Sequence, residues 1–459
     1  MQKLVRDDEL RARTDAERIG ERVLRPFHQF ARWQASGALL LLVCAGGALV
    51  WANSPWAMGY EQMLHVPFRI SLGERLLQLD LRHWINDGLM AMFFFAVGLE
   101  IKRELLVGEL AEARKAMLPI AAAIGGMVVP ALMYAACNAG GEGARGWGIP
   151  MATDIAFALG ALAVLGSRIP EGLKIFLVAL AIVDDLGALL VIAAVYTASI
   201  NWSGLVVAAL FLAALFVANR AGARRAPMYL ALGTGAWYGL LMSGVHATLA
   251  GVVAALCVPA RVRIVPDALA GVIRRSADAI DAHTANGVRH AMDPERFATI
   301  SMLSRTLDAA NSPIQRFEHM VHPWVAFGIL PVFALFNAGV EIDGSAMRTL
   351  VSPVPLGIIA GLVIGKPAGI CLASWLAVRT GLATLPDGVS WRHVYGTAWL
   401  AGIGFTMALF ISGLAFPGTG LESQAKLGIL LGSLVSAVAG IAVLLTTPDA
   451  VDRVDVRRA

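Results

Sequence analysis

Twelve apolar stretches separated by polar or basic joints dominate the chain, at 36–52, 84–105, 117–138, 147–165, 173–198, 203–218, 227–241, 243–258, 321–338, 355–378, 394–416 and 425–445. A helix crosses a hydrocarbon layer of ~30 Å with about 20 residues, so stretches of this length predict twelve membrane-spanning helices. Ahead of them, residues 1–35 are charged and end in the basic, aromatic run Arg25, Phe27, Phe30 and Trp33. That segment is too long and too mixed in sign for a cleaved leader and reads as a cytoplasmic lead-in. Two connections are long enough to carry structure. Between Trp56 and Arg82 an alternation around Leu64, Val66, Phe68 and Ile70 predicts a small β-hairpin, and within 261–315 the spacing of Phe297, Ile300, Leu303 and Leu307 predicts an amphipathic surface helix. The expected organisation is a lead-in at 1–35, a twelve-helix membrane domain at 36–447 that contains the long cytoplasmic loop 261–315, and a cytoplasmic tail at 448–459.

Composition narrows the class. Hydrophobic residues make up 57% of the 459 and charged residues only 15%, and mean hydropathy is +0.67. Ordinary globular chains carry about 25% charged residues. A soluble fold could not hide that much apolar surface, and collagen, disorder and a disulfide scaffold are excluded as well. The 47 glycines suit helices packed closely in lipid. The net charge of +4 suggests a nucleic-acid partner only until the basic residues are placed, because they sit in the joints between apolar stretches. With both termini in the cytoplasm, 30 of the 37 fall inside and six outside (Arg69, Arg75, Arg82, Arg145, Arg348, Lys426), while Lys366 lies within an apolar stretch. Basic loops stay in the cytoplasm, so both termini are expected there and the bilayer, not nucleic acid, is the partner. Cys44, Cys137, Cys257 and Cys371 each fall in or beside a different apolar stretch without metal-ligand spacing and read as small core residues.

Charges inside the apolar stretches need a reason, since a carboxylate or ammonium at mid-bilayer costs at least ~2.5–3.5 kcal/mol on insertion scales, whereas a Leu returns ~0.3–0.6. The adjacent Asp184 and Asp185 follow seven apolar residues, Leu177 to Val183. Neighbouring side chains on a helix point ~100° apart, so both acids can edge one cavity without pairing with each other. Protons or a hard cation are alternative ways of removing the same buried charge, which predicts competition between Na+ and H+. Asp154 and Thr153 lie between Pro150 and Gly160, and Gly402-Ile-Gly-Phe-Thr406 interrupts a second stretch, with six stretches between the two. Paired interruptions in two halves point to a midplane site built from half-helices. Lys366, followed by Pro367, reads either as a snorkelling lysine or as a buried counter-charge, and Asp87 either as a helix cap or as part of an ion path. Glu100, Arg103 and Glu104 after one stretch, and Glu318, His319 and His322 before another, are either a solvated face or a cluster that changes protonation near neutral pH.

At these residues the chain resembles the NhaA family of bacterial Na+/H+ antiporters. The likeness is carried by Trp84-Ile-Asn-Asp-Gly-Leu-Met90, Val97-Gly-Leu-Glu-Ile-Lys-Arg-Glu-Leu105, Ala152-Thr-Asp-Ile-Ala-Phe-Ala-Leu-Gly160 and Val183-Asp-Asp-Leu-Gly-Ala188. It continues through Ser243-Gly-Val-His-Ala-Thr-Leu-Ala-Gly251, Glu318-His-Met-Val-His-Pro-Trp324, Gly365-Lys-Pro367 and Gly402-Ile-Gly-Phe-Thr-Met407. The resemblance implies an all-α membrane fold of twelve helices with inverted repeats and two unwound, crossing helices. It implies Asp184 and Asp185 as ion ligands, with Thr153 beside them, and Asp154 and Lys366 as compensators of half-helix dipole ends, Lys366 also as a partner of Asp184 when no ion is bound. It implies roles in pH regulation for Glu100, Arg103, Glu104, His246, Glu318, His319 and His322, and a homodimer formed through the first external loop. Two departures stand out: the loop 261–315 is longer than the family leads one to expect, and Gln315 stands where a lysine is expected beside Arg316.

The expected activity is secondary active transport without a cofactor: electrogenic export of cytoplasmic Na+ or Li+ across a bacterial inner membrane for external H+, two protons per sodium, under pH control. A sodium-coupled solute symporter shares the broken-helix logic. An intramembrane aspartyl protease needs its two aspartates on separate, facing helices, which Asp184 and Asp185 are not.

Overall fold

The computed structural model of the chain describes residues 36–72, 75–197, 200–260, 271, 273–275, 312–344 and 346–447. Helices account for most of them: Ser36–Ala52, Ala57–Leu64, Leu81–Val107, Ala113–Cys137, Glu142–Leu165, Glu171–Val195, Trp202–Arg220, Ala226–Ser243, Leu249–Cys257, Pro313–Asn337, Pro353–Arg379, Trp391–Ala401, Phe405–Ala415 and Gly420–Leu445. Every expected apolar stretch therefore contains helix, and the fold is an all-helical membrane fold. Eight described helices are long and apolar enough to cross a bilayer. Counting two bent pairs, Ser36–Ala52 with Ala57–Leu64 (114°) and Trp391–Ala401 with Phe405–Ala415 (43°), raises the number to ten rather than the expected twelve. The shortfall lies at 226–258. Ala226–Ser243 dilutes its leucines with Gly, Tyr and Trp, and the chain leaves the helix at Gly244, whose φ of 78° is left-handed, before resuming in the nine-residue Leu249–Cys257. The expectations for 1–35, for an amphipathic helix around 297–307 and for 448–459 lie outside the described residues.

The chain packs as two compact units. The first takes Met1–Met90, Val107–Thr197 and Val325–Ala459, the second Ala91–Leu106 and Ala198–Trp324. In the first, Ala113–Cys137 and the second part of Pro353–Arg379 cross with their backbones in contact: a Cβ placed on Gly369 would stand 2.1 Å from the Gly125 carbonyl oxygen. Only two glycines allow such an approach. The expected hairpin is present as two antiparallel strands, β1 (Pro67–Leu72) and β2 (Arg75–Asp80), with Pro67 opposite Asp80. Asp80 also caps the following helix, accepting from the His83 amide at 2.8 Å. Partial burial would raise the Asp80 carboxyl, but the His83 amide and ring, together with His65, hold it below its ordinary value. Nearby in the same unit, Arg82 and Lys426 both pair with Glu422 in the first turn of Gly420–Leu445, the lysine at 3.0 Å.

The second unit has a core of Leu99, Leu215, Tyr229, Ala254, Ala255, Val258, Ile314 and Phe317. Within it Phe317 meets Tyr229 edge-on, centroids 5.7 Å apart. Lys102 closes the C-terminal end of Leu249–Cys257 by donating to the carbonyls of Leu256, at 2.6 Å, and Val258, where a cation also suits the negative end of the helix dipole.

Candidate ion-binding site

The helix bearing Asp154 is interrupted where the sequence places Pro and Gly around a polar pair. Its first part, Glu142–Met151, is a 3₁₀-helix of ten residues, although such helices rarely exceed three or four. Two tyrosines hold its opening turns, Tyr134 donating to the Gly143 carbonyl and Tyr196 to that of Arg145, each at 2.8 Å. From Ala152 to Asp154 the backbone is extended. Helix resumes at Ile155, with the Asp154 carboxylate as its cap accepting from the Phe157 amide at 3.0 Å. The second interruption separates Trp391–Ala401 from Phe405–Ala415. Glycine is required at 402, because a Cβ there would stand 2.5 Å from the Leu362 carbonyl oxygen.

The two interruptions meet. The Asp154 amide donates to the Ile403 carbonyl at 2.6 Å, and the Thr153 hydroxyl to the Ala401 carbonyl at 2.9 Å. The Thr406 amide (3.1 Å) and hydroxyl both donate to Asp154 Oδ2. Asp154 thus faces the positive N-terminal ends of two half-helices at once, which is where a carboxylate is stabilised.

Asp184 and Asp185 lie at the middle of Glu171–Val195, each 1% exposed, and Lys366 is fully buried. Lys366 ends a π-helical turn, Gly361–Gly365, and opens the helical stretch Lys366–Arg379 with Pro367 in its first turn. Its ammonium does not snorkel: it donates to Asp184 Oδ2 at 2.8 Å and to the Met151 carbonyl, which ends the 3₁₀ segment. A cation therefore sits at the negative end of one half-helix while Asp154 sits at the positive ends of two. Thr153 lies beside the Asp184 carboxylate, and Asp185 is close enough to act electrostatically on Lys366. Thr153, Asp154, Asp184, Asp185 and Lys366, singled out from sequence, are thus gathered in one buried cluster. Carboxylate, hydroxyl and carbonyl oxygens are the donors that a hard monovalent cation takes.

The other group of singled-out residues falls within the second unit. Arg103 pairs with Glu104 at 3.1 Å and with Glu318 at 3.4 Å. Glu100 feels Glu318, Arg103 and Glu104, and His322 feels His319 and Arg103. His246 lies in the turn between Ser243 and Leu249, its carbonyl accepting from the Leu249 amide at 3.1 Å. Asp87 does not begin its helix, as one reading of it had it: Asp80 is the cap, and Asp87 lies within the π-helical turn Trp84–Leu89, where Asn86 accepts from Asn337 at 2.9 Å. Sequence reasoning did not single out Thr406, although the glycine break two residues before it exposes the Thr406 amide that Asp154 accepts from. Nor did it single out the Met151 carbonyl, which no side-chain pattern announces.

Against known proteins, residues 28–444 match the family model described as Na+/H+ antiporter 1. The chain is 48% identical over 420 residues to the Na(+)/H(+) antiporter NhaA of Oleidesulfovibrio alaskensis, covering 92% of this chain and 93% of that protein. It is 49% identical over 430 residues to Na(+)/H(+) antiporter NhaA 1 of Saccharophagus degradans, covering 92% of each. It is also 49% identical over 425 residues to the NhaA of Acidithiobacillus ferrooxidans, covering 91% of this chain and 97% of that protein.

Proposed function

The chain belongs to the Na+/H+ antiporter 1 family, and on that premise we propose that it exports cytoplasmic Na+ or Li+ in electrogenic exchange for external protons, two per cation, at Asp184 and Asp185. The observation that carries this reading is the buried Asp184–Lys366 pair set against the two interrupted helices. With no ion bound, the Lys366 ammonium balances Asp184. A sodium ion arriving between Asp184 and Asp185 brings its own positive charge and competes with both the ammonium and protons for the same oxygens. Among the described residues no three His, Cys, Asp or Glu side chains form a group that could hold a metal ion, so the rest of an oxygen shell would come from Thr153, backbone carbonyls and water. Two acids give two proton sites for one cation site. Alternating access then exchanges one load for the other and draws on the inward proton gradient.

Support for pH control comes from the way Arg103 gathers Glu104 and Glu318 around its guanidinium, with Glu100, His319 and His322 close by, so that acids, a base and imidazoles share one charge cluster. His246 joins that role by resemblance alone. The hairpin Pro67–Asp80 offers an edge for a second copy, and the expected setting is a bacterial inner membrane with both termini cytoplasmic.

The test is collapse of an imposed pH gradient by Na+ in inverted membrane vesicles. Wild-type protein collapses it, and Asp185→Asn does not. Full-rate exchange by Asp185→Asn would falsify the site assignment. The reversal potential of the exchange measures the stoichiometry, and one proton per sodium refutes the electrogenic reading.

A further inference from the structure

Interrupting a helix inside a membrane frees backbone groups that neither water nor lipid can satisfy. Two of those groups here find partners on one face of the last long helix, Gly420–Leu445. The amide of Phe405, first residue of its half-helix, donates to Ser433 Oγ at 3.2 Å. Gly404 before it has no side chain with which to cap. The next amide, Thr406, goes to Asp154. Three residues along, Ser436 Oγ donates to the Leu362 carbonyl at 3.3 Å. Leu362 lies in the π-helical turn Gly361–Gly365, whose wider winding sets where Lys366 begins. Ser436 is fully enclosed, Ser433 is 5% exposed, and a Cβ on Gly402 would stand 2.7 Å from Ser436 Oγ, so the hydroxyl, the Leu362 carbonyl and the second interruption share one point.

From this geometry we infer that Ser433 and Ser436 are positioning residues for ion exchange, Ser433 holding the half-helix that Asp154 faces and Ser436 holding the turn that aims Lys366 at Asp184 and Met151. Without the Ser436 hydroxyl the Leu362 carbonyl has lost its donor, and the turn relieves this by rewinding toward an ordinary α-helix. Because an α-helix turns ~100° per residue, a small change of winding there swings the lysine off both of its acceptors. The inference rests on the proposed ion site and deepens it.

The experiment uses the full chain in inverted vesicles, with exchange measured against Na+ concentration and against pH, and melting followed on purified protein. Ser436→Ala is expected to raise the apparent KM for Na+ by about five- to tenfold and to displace the pH profile, with Ser433→Ala acting in the same direction. Ser412→Ala is the matched control, because that buried hydroxyl donates only to the Leu409 carbonyl of its own helix, at 2.8 Å. It is expected to lower melting while leaving KM and pH profile in place. Should Ser436→Ala fail to accumulate, Ser436→Cys, which keeps a weaker donor, is expected to move the same two readouts by less. Serine variants that melt earlier but keep wild-type KM and pH profile overturn the inference. Asp185→Asn, run in parallel, separates the two failures: if it abolishes exchange while the serine variants behave as wild type, only the positioning roles fall, and if it exchanges at full rate the ion site falls first.

Discussion

Lys366 Nζ lies 2.8 Å from Asp184 Oδ2, with the lysine fully buried and the aspartate 1% exposed. Such a pair adds little net stability over apolar residues of the same size, because both charges have been taken out of water. Losing one partner is a different matter, since the other is left uncompensated.

Lys366→Ala alone is therefore expected to cost ~3–5 kcal/mol of stability, and the double variant Lys366→Ala/Asp184→Ala less than the sum of the two single ones. Melting of the four purified proteins checks this. Strictly additive losses would mean that the pair is not energetically coupled.

Thr406 donates both its amide and its hydroxyl to Asp154. Thr406→Val keeps the shape but removes one donor to a buried carboxylate, which is expected to cost ~1–3 kcal/mol and to slow exchange. Thr406→Ser retains the hydroxyl and is expected to stay near wild type in both melting temperature and transport rate. Equal losses in the two variants would assign the effect to packing instead.

Gly369 and Gly413 are both helical glycines, yet opposite outcomes are expected on adding a methyl group. A Cβ on Gly369 would stand 2.1 Å from a backbone oxygen that cannot move aside, so Gly369→Ala is expected to separate the two helices and lower melting sharply. Nothing lies within 4 Å of the corresponding position on Gly413, and Gly413→Ala is expected to stabilise by ~0.5–1 kcal/mol through reduced backbone entropy of the unfolded chain.

The Asp80 carboxyl is held below its ordinary value of 3.8 by the His83 amide and ring and by His65, against the opposing effect of burial. A depressed acid stabilises the fold fully above its unfolded value, and that contribution disappears as pH falls through the lower folded one. Hydrogen exchange at the His83 amide is thus expected to be protected at neutral pH and to lose protection below about pH 4. In Asp80→Asn, protection is expected to vary little over the same range.

Much of this was legible from residue order because membrane helices announce themselves. Each apolar stretch contains helix, the hairpin appeared at Phe68 and Ile70 although Leu64 of the same alternation ends a helix, and Asp154, Asp184, Asp185 and Lys366 stood out as charges with no business in lipid. What stayed hidden depends on distance between segments. Lys366 alone could have snorkelled, and only its placement against Met151 and Asp184 decides the matter. Among the described residues length and apolarity support ten of the twelve expected crossings, because at 226–258 a helix diluted by Gly and Tyr is broken at Gly244 and followed by one of nine residues. Ser433 and Ser436 gave no signal at all, since a serine in an apolar helix is common and its use appears only when another segment's bare amide or carbonyl comes to meet it.

The winding of Glu142–Met151 has an electrostatic consequence. A 3₁₀ coil advances ~2.0 Å per residue and an α-helix ~1.5 Å, so ten residues wound the ordinary way would end about 5 Å short. Met151 would then no longer present its oxygen to the lysine, and the ammonium would be left with a single acceptor. How tightly this stretch is coiled thus decides how deeply a positive charge can be anchored beside the paired acids.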